Sequence, residues 1–229
     1  MAKSKLKNVA EGIAGAAAIT LALLTPFSRP WYRKWGATDA EVQRSLPGDD
    51  LVPHPKGDYT HAITIRASAA DIWPWVVQMG QGRGGFYSYE WLENLVGCDI
   101  HNADRIIPEF QYLEVGVSVW MHPKNPYPYT VAAIEPGRVL VLQSKADTET
   151  GNNFELTSTM PKKYLNFSWV FFFDELDEAT TRLISRSRND WNRSFKNTLV
   201  FGVFGPIAFV MDRKMLLGIK QRAESAAGR

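Results

Sequence analysis

The chain has 229 residues, 45% of them hydrophobic and 12% aromatic, which is enough for one domain with a sizeable core plus an appendage, and excludes a disordered chain. With 26 Lys and Arg against 24 Asp and Glu, there is no bulk charge to collect nucleic acid, so no nucleic-acid partner is expected. A single cysteine, Cys98, excludes an intrachain disulfide framework.

Residues 1–35 differ from the rest. Lys3, Lys5 and Lys7 precede an apolar run, Val9 to Phe27, whose one charge is Glu11, and Arg29, Arg33 and Lys34 follow it. The uncharged stretch from Gly12 to Ser28 is about 17 residues. As a helix it spans roughly 25 Å against a hydrocarbon core of roughly 30 Å. It reads as an uncleaved membrane anchor, spanning or interfacial, since Thr25-Pro-Phe-Ser28 offers no small-residue cleavage site. A signal peptide and a buried helix remain the alternatives. Residues 36–58 read as a connector: Thr38 and Glu41 have capping-box spacing, and Pro47, Pro53 and Pro55 then interrupt regular structure.

The domain, 59–229, opens with a predicted strand over Thr60–Arg66, on which His61, Ile63 and Ile65 alternate with Ala62, Thr64 and Arg66. Ser68 and Asp71 have the spacing to cap a helix carrying Ile72, Val76 and Met79, kinked or delayed by Pro74. Gly80 to Gly85 is a turn, and a second short helix spans Ser88–Val96. Strands follow over Ser118–His122, Tyr129–Ile134, Val139–Gln143 and near Phe154–Met160. The clearest is Leu165–Leu176, with Leu165, Phe167, Trp169, Phe171 and Phe173 on one face. Its partner, Thr180–Asp190, puts Arg182, Arg186 and Arg188 on one face and Leu183, Ser185 and Ser187 on the other. The arginines suit an outer face, or contact with acidic headgroups. A helix closes the chain over Pro206–Glu224, with proline in its first turn.

Strand, helices, a run of antiparallel strands and a long C-terminal helix make an α+β domain. The chain resembles the START-like (SRPBCC) helix-grip superfamily of polyketide cyclases and lipid-transfer domains, in a bacterial branch with an N-terminal hydrophobic segment. The resemblance rests on Trp35-Gly-Ala-Thr-Asp-Ala-Glu-Val42, Leu46-Pro-Gly-Asp49, Trp73-Pro-Trp75, Gln78-Met-Gly80, Gly82-Arg83, Gly85-Phe-Tyr-Ser-Tyr89, Asn102-Ala-Asp104, Met211-Asp-Arg-Lys-Met215 and Gly218-Ile-Lys220. Where that branch has Gly-Asp, this chain has Gly116-Val117. The resemblance implies a curved sheet gripping the C-terminal helix around an apolar chamber, with Trp169 and Phe171 on its floor or in a filled core.

Candidate chemistry is sparse. Asp99, His101 and Asp104 can hold an acid/base pair, or simply cap a loop; no second histidine stands at ligand spacing, so no metal is expected, and no cofactor is called for. Arg83, set among glycines and aromatics, can stack on Tyr87 or Trp91 and offer paired donors to an oxygenated ligand. Arg83, Tyr87, Trp91, His101, Trp169 and Phe171 are the candidate ligand contacts, and His101, Asp104 and Tyr87 the candidate proton-transfer groups. The expected function is a membrane-associated binder or carrier of a hydrophobic small molecule or lipid. A cyclase or dehydratase acting in the same cavity and a noncatalytic interaction domain are the alternatives.

Overall fold

The computed structural model describes residues 14, 15, 17, 28–124, 127–152, 154 and 161–228, with the side chains at 195, 196, 198, 199 and 202–204 left aside. Most of the apolar run from Val9 to Phe27, and the strand expected near Phe154–Met160, lie outside the described residues. Among the described residues no helix is long and apolar enough to cross a membrane.

From Ser28 on, the described elements begin with two short helices, α1 (Arg29–Arg33) and α2 (Asp39–Gln43), then β1 (Gly57–Ile65), α3 (Ala69–Val77) and α4 (Glu90–Leu95). The strands β2 (Ser118–Val119), β3 (Tyr129–Glu135), β4 (Val139–Asp147), β5 (Tyr164–Asp177) and β6 (Thr180–Trp191) follow, and α5 (Phe195–Ala227) closes the chain. Among the described residues six strands form one antiparallel sheet in the order β1-β6-β5-β4-β3-β2. This is the α+β arrangement of a helix-grip fold, with α5 lying across one face.

Local chemistry explains most boundaries. The Thr38–Glu41 capping box forms: the Glu41 N–H donates to Thr38 Oγ1 (3.2 Å) and the Thr38 N–H to Glu41 Oε2 (2.7 Å). Ser68 caps α3 through the Asp71 N–H at 3.2 Å, and the helix runs through Pro74 from Ala69. The C-terminal helix is a correction. It begins at Phe195 behind the Ser194 cap, with Pro206 in its interior rather than its first turn. Phe201 stacked on Trp191 (4.2 Å) and Phe209 stacked on Tyr32 (5.7 Å) hold the helix on either side of the proline, offsetting the missing backbone hydrogen bond.

Strand alternation gives the sheet two apolar faces. The concave face carries Ile65, Leu140, Leu142, Trp169, Phe171, Phe173 and Leu183, buried under α3 and under Met215, Leu216 and Ile219 of α5. On the convex face Ala62, Val139, Val141, Val170, Phe172 and Ile184 form a second cluster with Leu46. The segment read as a connector is therefore a strap over the sheet. Gly48, at φ 88°, lets the strap pass so close that a Cβ there would lie 2.5 Å from Val141 Cγ1.

Arg186 fastens the strap. It does lie on the outer face, as alternation predicts, but it is 3% exposed and no headgroup can reach it. Its Nε donates to Thr60 Oγ1 (3.1 Å), Nη1 to the Arg44 carbonyl (2.7 Å) and Asp49 Oδ2 (2.8 Å), and Nη2 to the Glu41 (2.6 Å) and Val42 (3.1 Å) carbonyls. All five N–H groups are used, three of them on carbonyls at the end of α2. Arg182 pairs with Glu41 at 2.7 Å, and that hydrogen bond holds the Glu41 carboxyl down at about 2.

Arg186→Ala leaves those carbonyls buried without their donor and takes one from the Asp49 carboxylate, which keeps the Leu46 N–H at 2.9 Å and Arg188 at 3.4 Å. A loss of about 3 kcal/mol is expected in urea unfolding, with the strap becoming protease-sensitive at Arg44.

Candidate functional site

The concave face is sealed at one end and partly buried at the other, where Phe201 of α5 packs on Phe167 at 5.6 Å. Toward the β5–β6 turn Phe171, Phe173, Leu140, Leu183 and Ile65 are all buried. Toward the opposite strand ends Tyr59, Tyr129, Leu165, Phe167, Ser187 and Asn189, which face the same way by register, are only half-buried. Trp169 stands at the boundary, against Phe171 (4.8 Å), Phe86 (6.1 Å) and Tyr129 (6.0 Å). Such an aromatic-lined recess, too covered to be surface and too open to be core, is the candidate site.

A buried polar chain runs behind it. The Trp169 indole N–H donates to Ser185 Oγ (3.0 Å), and Ser185 donates to Asp212 Oδ1 (3.1 Å). The other Asp212 oxygen is paired with His61 Nδ1, while His61 Nε2 faces the Tyr32 carbonyl at 2.7 Å. His61 is 3% exposed and has an oxygen facing each ring nitrogen. The carboxylate stands between serine and imidazole, so this is not a serine-nucleophile arrangement, in which the imidazole would contact the hydroxyl. It is a buried hydrogen-bonded chain that ties β1, β6, α5 and α1 together and fixes the Trp169 indole. The sequence contained its signal: His61 is a polar residue in phase with the apolar Ile63 and Ile65.

The candidates from the sequence do not converge on one point. Tyr87 is 2% exposed. Its hydroxyl donates to the Trp75 carbonyl (2.9 Å) and accepts from Gln78 Nε2 (2.9 Å), and burial drives its ionisation far upward. Its positive φ is held by Asn102 Oδ1, which accepts from the Phe86 (3.1 Å) and Tyr87 (2.6 Å) N–H groups. Arg222, not Arg83, stacks on its ring at 4.6 Å. Gly218 of α5 touches the Tyr87 carbonyl, which a Cβ would approach to 2.5 Å.

Arg83 lies over the Phe110 ring (5.0 Å) and donates through Nη2 to the Phe110 (2.8 Å) and Val77 (3.2 Å) carbonyls. Its Nε is buried without a partner. Trp91 is 41% exposed, and the His101 side chain is 76% exposed, 3.3 Å from Asp99 and 3.6 Å from Glu90. Asp104 is exposed, and Phe171 is sealed in the core. Only Trp169 of these borders the recess. Among the described residues no group of three or more His, Cys, Asp or Glu side chains is placed to hold a metal. A shallow pocket on the convex side is lined by Pro128, Thr130, Ala132, Gln143 and Lys145.

Glu93 of α4 also escaped the sequence reading. Its Oε2 is buried without a partner, and burial, aided by Glu90, pushes its carboxyl up to about 7.

No family model matches this chain, and no curated protein matches its sequence. Solved structures do resemble it. A protein from Nitrosospira multiformis is 11% identical, with a TM-score of 0.41 over 75% of this chain and 99% of that one. A conserved protein from Geobacillus kaustophilus is 12% identical, with a TM-score of 0.37 over 74% and 96%. Truncated norcoclaurine synthase from Thalictrum flavum is 15% identical, with a TM-score of 0.35 over 70% and 91%. The functional reading therefore rests on this chain's own residues.

Two outcomes follow from these buried polar groups. Asp212→Ala, which strands His61 and Ser185, is expected to cost about 3 kcal/mol in chemical denaturation. Asp212→Asn should cost less, because it keeps an acceptor for one of them. Glu93 is protonated more readily folded than unfolded, so its contribution favours the fold at low pH. That contribution falls as pH rises from the unfolded carboxyl value of 4.5 to about 7. Glu93→Gln should remove this part of the pH dependence in thermal melts and raise stability above it.

Proposed function

We propose that the protein is a noncatalytic binder or carrier of a hydrophobic small molecule or lipid, which occupies the half-open end of the concave face. The supporting observation is the change in burial along the concave face: the same strands that are sealed at Phe171 and Phe173 are half-open at Phe167 and Tyr129. Aromatic side chains left half-covered within a fold bind apolar matter in preference to water. Trp169 is the wall of the site in this reading. Phe86, packed on it, makes the turn from Gly80 to Gly85 the roof, with Arg83 and Tyr87 bracing that roof through the main chain. Trp91 and His101 stand outside, where a ligand would enter.

The membrane association belongs to the same proposal. The uncharged stretch from Gly12 to Ser28 would hold the protein at a bilayer, and Trp31, 58% exposed beside Arg29, Arg33 and Lys34, suits the headgroup layer. In the structure, nothing favours the cyclase or dehydratase alternative over binding, because the Tyr87 hydroxyl is enclosed while the His101 imidazole stands in solvent.

Native mass spectrometry of the full chain is expected to show a co-purifying apolar ligand. Ser187→Phe places a ring between Tyr59 and Trp169 in the recess. It should abolish the ligand-bound mass while keeping the thermal midpoint within about 4 °C. A parent chain that never carries ligand, and binds no added apolar dye, would defeat the proposal.

A further inference from the structure

We infer that the N-terminal apolar run is seated on the domain at Tyr89, so that it meets an anionic bilayer along one surface and does not cross it. The inference rests on the membrane part of the reading above and names the surface that is recognised and the side of it on which the chain stays.

It comes from one contact inside the run. Gly15 is helical and buried, while Ala14 and Ala17 beside it are exposed. The Tyr89 ring is what covers it: a Cβ on Gly15 would lie 3.3 Å from both Cε1 and Cζ. Glycine weakens a helix relative to alanine, but it lets the backbone come up against a ring. Tyr89 itself packs on the cluster of Tyr32, Phe209 and Val210, and the Lys214 ammonium stands over its ring at 5.6 Å.

Tyr32 belongs to α1, so the chain is back on that same cluster within Arg29–Arg33. Residues 16–27 therefore leave one aromatic cluster and return to it. Those twelve residues cannot cross a bilayer and come back, because each crossing of a hydrocarbon core roughly 30 Å thick takes about 20 residues of helix. Ahead of Gly15 the apolar part, Val9 to Ala14, has six residues, about 9 Å as a helix. Neither part spans. Depth gives the same answer. In an upright helix with Ser28 at the surface, Gly15 would lie about 20 Å down and carry Tyr89 and Lys214 into hydrocarbon, where an ammonium is strongly disfavoured.

Charge names the surface. Lys3, Lys5 and Lys7 precede the run and Arg29 follows it, against one acidic residue, Glu11, in the first 29. Trp31, set edge-on against Phe209 and 58% exposed, adds an aromatic side chain beside the seat. Cations at both ends of an apolar stretch, with tryptophan next to them, suit anionic headgroups above and acyl chains just below.

Two measurements on the full chain test this. In a Cys98→Ser background, Ser4→Cys is exposed to a membrane-impermeant maleimide on closed vesicles of phosphatidylcholine and phosphatidylglycerol, with Tyr112→Cys, at an 85% exposed position of the domain, as reference. Both positions should label from outside to within about twofold of each other, with no gain when detergent is added. The second measurement is the thermal midpoint without vesicles. Gly15→Leu should lower it by at least about 3 °C, since the new side chain meets the Tyr89 ring, and Ala17→Leu should shift it by less than about 1 °C. Label at Ser4→Cys that appears only after detergent, or equal shifts for the two leucine variants, overturns the inference and leaves the bilayer reading standing. A parent chain that does not float with these vesicles overturns the bilayer reading, and the inference with it.

Discussion

A sheet with Val141, Val170, Phe172 and Ile184 on one side and Leu140, Phe171, Phe173 and Leu183 on the other cannot leave either side to water. Two coverings are required, and the chain supplies them from its two ends. The C-terminal helix takes the concave face and the strap before β1 takes the convex one. Each covering is held by one buried polar group from the strands, His61 under the helix and Arg186 under the strap. In both cases the group reaches main-chain carbonyls as well as a carboxylate, which spreads its desolvation cost over several hydrogen bonds.

The helix, though 33 residues and so about 50 Å long, does not close the concave face evenly. Beside α3 the helix side chains Met215, Leu216 and Ile219 fill the space to the sheet. Past Trp169 the strand side chains Tyr59, Tyr129, Phe167 and Ser187 are half-covered. The same residue types, aromatic and small hydroxylic, are thus sealed core at one end and partly covered at the other. The chain from Trp169 to His61 then makes the boundary rigid, because the indole cannot turn without giving up its bond to Ser185.

Much of this was legible in the residues. The phase of Phe167, Trp169, Phe171 and Phe173 placed them together, and the alternation of Arg186 with Ser185 and Ser187 put the serines toward the helix, where Ser185 meets Asp212. Local caps at Thr38 and Ser68 were equally plain. Pro206 misled, since a proline rule that holds for isolated helices is overridden when aromatic packing fastens both sides. The strap was hidden because its three prolines describe local conformation and say nothing of which distant surface it lies on. Arg83, Tyr87 and His101 looked alike as polar residues in an aromatic block, yet one braces a turn, one is enclosed and one stands in solvent.

By itself the sequence determined the order of elements, the facing of each strand, the absence of a recognisable metal or nucleophile motif and the apolar character of residues 9–27. These follow from spacing along the chain, which is a local property. Only the tertiary structure decided which inward-facing groups find partners. His61 and Asp212 are 151 residues apart, and Arg186 and Asp49 are 137 apart. Satisfaction of a buried polar group depends on what the fold brings across from it, and no local pattern records that.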